Sequence, residues 1–378
     1  MSRGLGETVS KKQRTRIAIG IAGVLVLAAA LSVSLVATAS AGKSSFKAKH
    51  APPYTFVVSN NFLGNDWRPQ VEKLAVLTSK LAPFKGKVNV KIVNSQSTNQ
   101  AQIADLNSII QTKPDAIMLI PGSSTALNPT VRRACNAGIL VFTISAPITE
   151  KCVWNVNQDF FGGMTGVGQW MGKVLKNKGS VFVDHGIPGL GISKDIENGF
   201  RKGLKQTGPA VKVSGTFNGQ YAPGPEQSGI TSLLVGHPDV NGVMTQGYCT
   251  PVFNAFKQAG KPAVPATCYG YNGELGACAQ KGHQCAILSG SPVVMQIAMK
   301  VALDVLDGKP APPKDKIIPV PMTLFVTATP KVSVKVPGVK VEVLKKGVNY
   351  FPNLPPGLAL PYTLPQYPIA AKDAVGKK

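Results

Sequence analysis

A few short stretches of the chain hold residues whose types and spacing could do chemistry. Cys278, His283 and Cys285 lie together in "CAQKGHQC", and thiolates with an imidazole are metal ligands. Asp184 and His185 adjoin at the end of "FVDH", an acid beside a group that exchanges protons near neutrality. "GIPGLGISK", Gly186 to Lys194, is a glycine-rich turn between an apolar run and a helical pattern, a setting in which backbone amides can cradle phosphate. The stretch "VVSNNFLGNDWRPQ", residues 57 to 70, passes from β-branched residues to amides, an indole and a guanidinium. Those are groups that hold a small polar molecule.

The first three do not complete a site. C-x4-H-x-C lacks the paired C-x2-C spacing of a zinc centre, so no metal is expected. In the glycine-rich turn Ser193 precedes Lys194 and Asp195 follows it, which departs from G-x-x-x-x-G-K-[ST]. Asp184 and His185 have no nucleophile or charge stabiliser in view, and the chain carries no nucleophile elbow and no H-E-x-x-H. Neither an enzyme nor a cofactor is expected. "GGMTGVGQW" falls within a helical pattern, where small residues allow close packing, and His237 in "GHPDV" marks a helix-to-strand turn. The fourth stretch remains.

The elements that must position it alternate with regularity. Apolar, β-rich runs fall at 54–59, 88–93, 115–120 and 139–144, separated by amphipathic patterns such as "WRPQVEKLAVLTSKL" and "NQAQIADLNSIIQT". A second series places strands at 179–184, 211–217, 240–245, 264–269 and 284–289, with helices between them. Nearly continuous apolar strands alternating with helices describe α/β lobes built on parallel sheets covered on both faces. Two series predict two lobes, and residues of the fourth stretch, 57–70, stand at a strand end, where such sheets bind ligands. From 310 the chain turns Pro-rich and reads as an irregular tail packed on the surface.

The 378 residues carry a formal charge of +23, of which about +19 lies beyond residue 41. The lysines are scattered, with no basic block interleaved with aromatics, so nucleic acid is not an expected partner. "KKQRTR" precedes the apolar run Ile17 to Ala39, and "ASA" ends at Ala41. This predicts a secretory signal, or an uncleaved membrane anchor, over residues 1–41, with 42–53 as a linker and the rest extracytoplasmic. All six cysteines fall in that part. Fifteen pairings are formally possible, and we expect three short-range disulfides, Cys135–Cys152, Cys249–Cys268 and Cys278–Cys285.

The order of motifs resembles the type I periplasmic binding proteins of ABC importers, in particular the ribose-binding protein group. The resemblance runs through "VVSNNFLGNDW", "VNSQSTNQAQIADLNSIIQTKPDAIMLIPGSS", "NQDFFGGMTGVGQWM", "NGFRKGL", "LLVGHPDVNGVMTQ" and "YGYNG", over about residues 54–328. It implies two Rossmann-like lobes joined by three hinge strands: a first lobe of 54–155 plus 291–320, a second of 156–290, then a last hinge strand and tail over 321–378. It further implies a monomer that captures a sugar or sugar-like molecule and delivers it to an ABC permease. A membrane-anchored receptor for a non-sugar ligand is the alternative.

By the same resemblance Ser59 matches a first-strand serine, Asn65 a ligand-contacting Asn, Trp67 an aromatic that stacks on the sugar, and Tyr221 an aromatic of the opposite lobe. Asn272 stands where the family often has Asp. Charged family positions read Ser145-Ala146, Ile196, Gly247-Tyr248 and Gly290 here, with Tyr248 and Arg68 as compensating groups. Asn60, Ser123 and Ser145 complete the candidate ligand set. Trp67 and Tyr221 are expected to face one another across the cleft. Gly64 is expected to turn the chain sharply, and Asn65 or Asp66 to cap the helix that follows.

Overall fold

The computed structural model describes residues 46–375 apart from Asp315, Thr329 and Tyr350; the expected signal or anchor segment lies outside the described residues. The elements run β1 (Tyr54–Asn60), α1 (Trp67–Thr78), β2 (Val88–Asn94), α2 (Asn99–Gln111), β3 (Ala116–Ile120), α3 (Asn128–Asn136), β4 (Leu140–Ile144) and β5 (Trp154–Asn157). Next come α4 (Phe160–Val174), β6 (Ser180–Asp184), α5 (Gly191–Thr207), β7 (Lys212–Phe217), α6 (Pro223–Gly236), β8 (Gly242–Met244), α7 (Thr250–Gln258), β9 (Ala266–Tyr269) and α8 (Asn272–Cys278). The chain ends with β10 (Cys285–Ser289), α9 (Val294–Leu306), β11 (Ile318–Pro319), β12 (Met322–Thr327), β13 (Val339–Leu344) and α10 (Ala371–Ala374).

Two sheets result. The first has the order β11-β5-β4-β3-β1-β2 and is parallel throughout. The second has the order β13-β12-β10-β9-β8-β6-β7. The two-lobed α/β fold expected from the sequence is the observed one. Residues alternate between the faces of a strand, and both faces are apolar. In the first sheet Phe56, Val58, Met118 and Phe142 pack under α9, whereas Val57, Ile117, Leu119 and Val141 face α2 and α3. In the second, Val181, Val183 and Leu288 share a core with α4 and α5, while Phe182, Val243 and Ile287 share one with α6 and α7.

The chain passes between the sheets after β5, after β10 and after β11. The third passage explains why β12, and β13 parallel to it, run against the other strands of the second sheet. β12 enters at the end where β10 leaves, with Thr323 opposite Ser289, so it must run antiparallel to β10.

Two expectations need correction. Of the linker, Phe46 and Ala48 pack on the first core, and Lys49 Nζ donates to Ala137 O at 2.6 Å. The tail is not irregular surface chain. "VKVEVL" alternates with period two and forms β13, parallel to β12 at the sheet edge. Beyond it Leu358, Leu360 and Ile369 join the second core, and Ala359, Leu364 and Tyr367 the first. Gln296 of α9 holds this segment by donating to Tyr367 O at 3.1 Å and accepting Leu364 N at 2.7 Å. Asn272 holds it from the other lobe, its Nδ2 donating to Phe351 O (3.0 Å) and Leu354 O (2.8 Å). Hydrophobic burial, not secondary structure, fixes its course.

Helices α4 and α5 approach backbone to backbone, as the small residues of "GGMTGVGQW" suggested. A Cβ on Gly203 would collide with the carbonyl oxygen of Thr165, and one on Gly168 with that of Phe200. Gly203→Ala should therefore destabilise the protein by about 1–3 kcal/mol through overpacking. Gly236→Ala, which meets nothing within 4 Å, should be neutral or gain a few tenths. Urea denaturation of the two variants checks the contrast, and equal midpoints would refute the backbone contact.

Candidate functional site

The order of the first sheet reverses between β1 and β3, and that of the second between β6 and β8. Loops on either side of such a reversal part and leave a crevice beyond the carboxyl ends of the strands. Here the two crevices form one cavity. The first lobe contributes Phe62, Asn65, Trp67 and Arg68 after β1, Ile120 and Pro121 at β3, and Ile144, Ser145 and Ala146 at β4. The second contributes Leu190, Ile192 and Ile196 after β6, Tyr221 after β7, Gln246 after β8, and Tyr269 and Tyr271 at β9. Phe160, just past the first passage between sheets, closes the wall. As the lobes stand the space is about 50 Å³, room for a handful of water molecules. A more polar space adjoins it, bounded by Ser123, Asn157, Asp159, Lys194 and Asp195 among others.

Arg68 is the charged group of the cavity wall and is 5 % exposed. Its Nη1 donates to Asn60 Oδ1 at 2.6 Å and to Asn61 Oδ1, and its guanidinium lies over the Phe62 ring, 4.1 Å from the centroid. Desolvation pulls its pKa down to about 9, which leaves it charged at neutral pH. Gly64 has an ordinary negative φ. Its role is to admit the Phe62 ring, which a Cβ would strike. Asn65 Oδ1 accepts Arg68 N at 3.1 Å and so caps α1, whereas Asp66, at the cap position, makes no side-chain capping bond.

Two non-glycine residues of the wall have left-handed backbones, Ser145 at φ 60° and Tyr221 at φ 53°. Such conformations are costly for ordinary residues and concentrate at functional sites. Tyr221 is pinned by its hydroxyl, 2.7 Å from Ser193 Oγ, and burial pushes its pKa up. Ser145 Oγ and Gln246 Oε1 are buried without a protein partner among the described residues.

Carboxylates build the second-lobe wall from behind. Asp184 accepts Gly186 N and Gly219 N at 2.7 Å and Gln246 N at 3.0 Å. Glu226 accepts Tyr248 N at 2.9 Å, and Glu274 caps α7 by accepting Cys249 N (2.8 Å) and Thr250 N (2.9 Å). Desolvation raises the pKa of all three, and the nearby Asp184 charge raises that of Glu226 further.

Of the residues expected at the site, the cavity brings together Asn65, Trp67, Arg68, Ser145 and Tyr221. Ser123 lines the adjoining polar space. The others are placed elsewhere. Ser59 is fully buried within β1. Asn60 lies beneath the wall, its Oδ1 on Arg68 and its Nδ2 donating to Glu72 Oε1 at 2.7 Å. Tyr248 stacks on Tyr271 and donates to Asp66 Oδ2 of the other lobe at 3.1 Å, a link between lobes. Asn272 is spent on the tail carbonyls. Trp67 and Tyr221 line one cavity, but no ring contact joins them among the described residues. Trp67 also belongs to the first core and donates its Nε1 to Gly290 O at 3.0 Å. The sequence reading missed Phe62, Leu190, Ile192, Gln246, Tyr269 and Tyr271. Leu190 and Ile192 sit in the glycine-rich turn set aside as a phosphate loop, which is the second lobe's counterpart of the 57–70 stretch.

The groups considered for chemistry are also accounted for. His185 Nδ1 lies 2.7 Å from Glu197 Oε2, on α5 and away from the cavity wall. His283 stacks on Phe253 and its Nδ1 is 2.7 Å from Ala277 O, while the Cys278 and Cys285 sulfurs meet at bonding distance. The Cys135 and Cys152 sulfurs meet likewise, as do those of Cys249 and Cys268.

Paired α/β lobes, three connecting passages and a cavity between their strand ends define a two-lobe ligand-binding protein. Residues 56–310 match the family described as periplasmic binding protein domain, and the chain belongs to that family. Within it the chain is a type I periplasmic binding protein of the ribose-binding group. It is 24 % identical over 232 residues to the ribose import binding protein RbsB of Bacillus subtilis, covering 60 % of this chain and 74 % of that one. It is 25 % identical over 192 residues to the galactofuranose-binding protein YtfQ of Escherichia coli, covering 50 % and 58 %. Among solved structures, an ABC transporter solute binding protein of Thermobispora bispora superposes with a TM-score of 0.63 at 26 % identity, over 70 % of this chain and 84 % of that one.

The buried carboxylates set a pH dependence. Their folded pKa values lie above the unfolded ones, so the folded state holds protons that the unfolded state releases. The resulting stabilisation is present below the unfolded pKa of about 4 and is lost as pH rises through the folded values. Glu226→Gln keeps the shape and removes one such group. Its melting temperature should fall less steeply than wild type between about pH 5 and pH 8. Calorimetry across that range checks this, and an unchanged slope would show that Glu226 does not titrate with folding.

Proposed function

We propose that the protein is an exported solute-binding protein that captures one small molecule between its lobes and hands it to an ABC importer. The observation that carries this reading is the shared cavity, walled by strand-end loops of both sheets and by a residue of a connecting passage. A molecule bound there touches both lobes, binds the closed arrangement better than an open one, and so shifts the population toward closure. The protein performs no reaction on it. The relatives named for ribose and galactofuranose make a sugar-sized solute the starting expectation, and the apolar run before residue 42 supplies the signal or anchor for export. Among the described residues no helix is long and apolar enough to cross a membrane.

Solution scattering tests closure. Protein as purified, with its ligand, should have a smaller radius of gyration than protein stripped by unfolding, dialysis and refolding. Identical profiles would argue for a rigid receptor. Trp67→Phe, which keeps a ring but loses the bond to Gly290 O, should fold and bind the co-purified ligand at least about tenfold more weakly, equivalent to 1.4 kcal/mol. Trp67→Ala should in addition lose about 3–5 kcal/mol of stability, because the indole belongs to the core as well as to the wall.

Export places the six cysteines in an oxidising compartment, where the three sulfur pairs are disulfides. Peptide mapping without reductant should recover 135–152, 249–268 and 278–285. The Cys135→Ser, Cys152→Ser double variant should lose about 2–4 kcal/mol, read from denaturant midpoints. Six free thiols in protein isolated from the cell surface would refute this.

A further inference from the structure

The charge of the cavity is unbalanced. Arg68 is buried in its wall, and no carboxylate lines that wall among the described residues. Among the described residues Nε and Nη2 make no hydrogen bond to the protein, and both side-chain bonds leave from Nη1. The acid whose charge acts on it, Glu72, is joined to it through Asn60 rather than by direct contact. A buried charge without a counter-charge is costly, and bidentate Arg recognition suits a carboxylate. The rest of the wall is dominated by Phe62, Ile144, Phe160, Leu190, Ile192 and Ile196.

We propose that the ligand is a small monocarboxylate with a largely apolar body, its acid group seated on Arg68 and its body against the aliphatic and aromatic wall. This rests on the solute-capture reading and names its ligand class. Sugar hydroxyls are donors as well as acceptors, and the cavity offers them few acceptors, chiefly Gln246 Oε1 and Ser145 Oγ. A carboxylate only accepts, which matches the free guanidinium donors. The lowered pKa of Arg68 reflects the same unrelieved desolvation. The adjoining polar space carries Asp159 and Asp195, the latter's carboxyl pKa raised by burial and by the Asp159 charge, so a second carboxylate reaching outward meets two acids against the one cation Lys194 among the described residues. Dicarboxylates are therefore disfavoured relative to monocarboxylates.

Calorimetric titration of ligand-stripped protein with matched pairs tests the class: phenylacetate against 2-phenylethanol, D-glucuronate against D-glucose, with 1,4-phenylenediacetate and D-ribose alongside. Phenylacetate should bind at least tenfold more tightly than 2-phenylethanol and than the diacid. Arg68→Gln should abolish that preference and Arg68→Lys retain part of it, with melting curves confirming that both variants fold. Equal binding of acid and alcohol, or a preference unchanged in Arg68→Gln, overturns the proposal. If D-glucuronate binds and phenylacetate does not, the acid group stands and the apolar body is overturned. If D-ribose binds and contracts the protein in scattering while no acid does, the ligand class is wrong and solute capture survives. Silence from acids and sugars alike overturns both.

Discussion

One carbonyl oxygen, that of Gly290, organises the meeting of the two lobes. It stands on the passage from β10 to α9 and accepts the Trp67 indole from the first lobe and the Tyr269 hydroxyl from the second. A side chain at 290 would strike Tyr269 and Phe160, so this approach requires glycine. The start of α1, the end of β9 and Phe160 are thereby located relative to a single connecting segment. Each of them also supplies a ring to the cavity wall. Site geometry and hinge geometry are one constraint, which is why the wall can be aromatic and still be placed accurately.

The lobes handle charge in opposite ways. The second lobe keeps its acids, Asp184, Glu226 and Glu274, behind the wall, where backbone amides of the strand-end loops satisfy them. They act as internal clasps for loops that have little secondary structure. The first lobe instead brings a cation to the wall and supports it with neutral amides, Asn60 and Asn61. Amides orient a guanidinium without neutralising it. The loops facing the ligand are thus rigid on one side and electrostatically unsatisfied on the other, a division suited to selection by charge.

Much of the fold was legible because β3 is apolar at every position, β4 at every position but Thr143, and their helices carry clear periodicity. The very short β11 gives no such signal, and β13 alternates plainly but lies in a Pro-rich context that masked it. The site was half legible. Proximity to a strand end located Asn65, Trp67 and Arg68, yet it could not distinguish Asn60, the last residue of β1, which points beneath the loop. Tyr248 and Asn272 were misplaced for another reason. Their partners are Asp66, Phe351 and Leu354, far away in sequence, and local pattern holds no information about them.

The segment from Phe351 to Ile369 has a consequence for the order in which the molecule comes into being. Every strand of both sheets leaves the ribosome before it does, yet Leu358, Leu360, Leu364 and Tyr367 complete cores on both lobes. Until those residues arrive, the apolar ground beneath them is bare and Gln296 lacks its Leu364 and Tyr367 partners. A nascent chain can therefore form its sheets but not seal them. Completion waits for this stretch, so the sheets are sealed only once it has emerged, and the incomplete intermediate offers chaperones a hydrophobic handle.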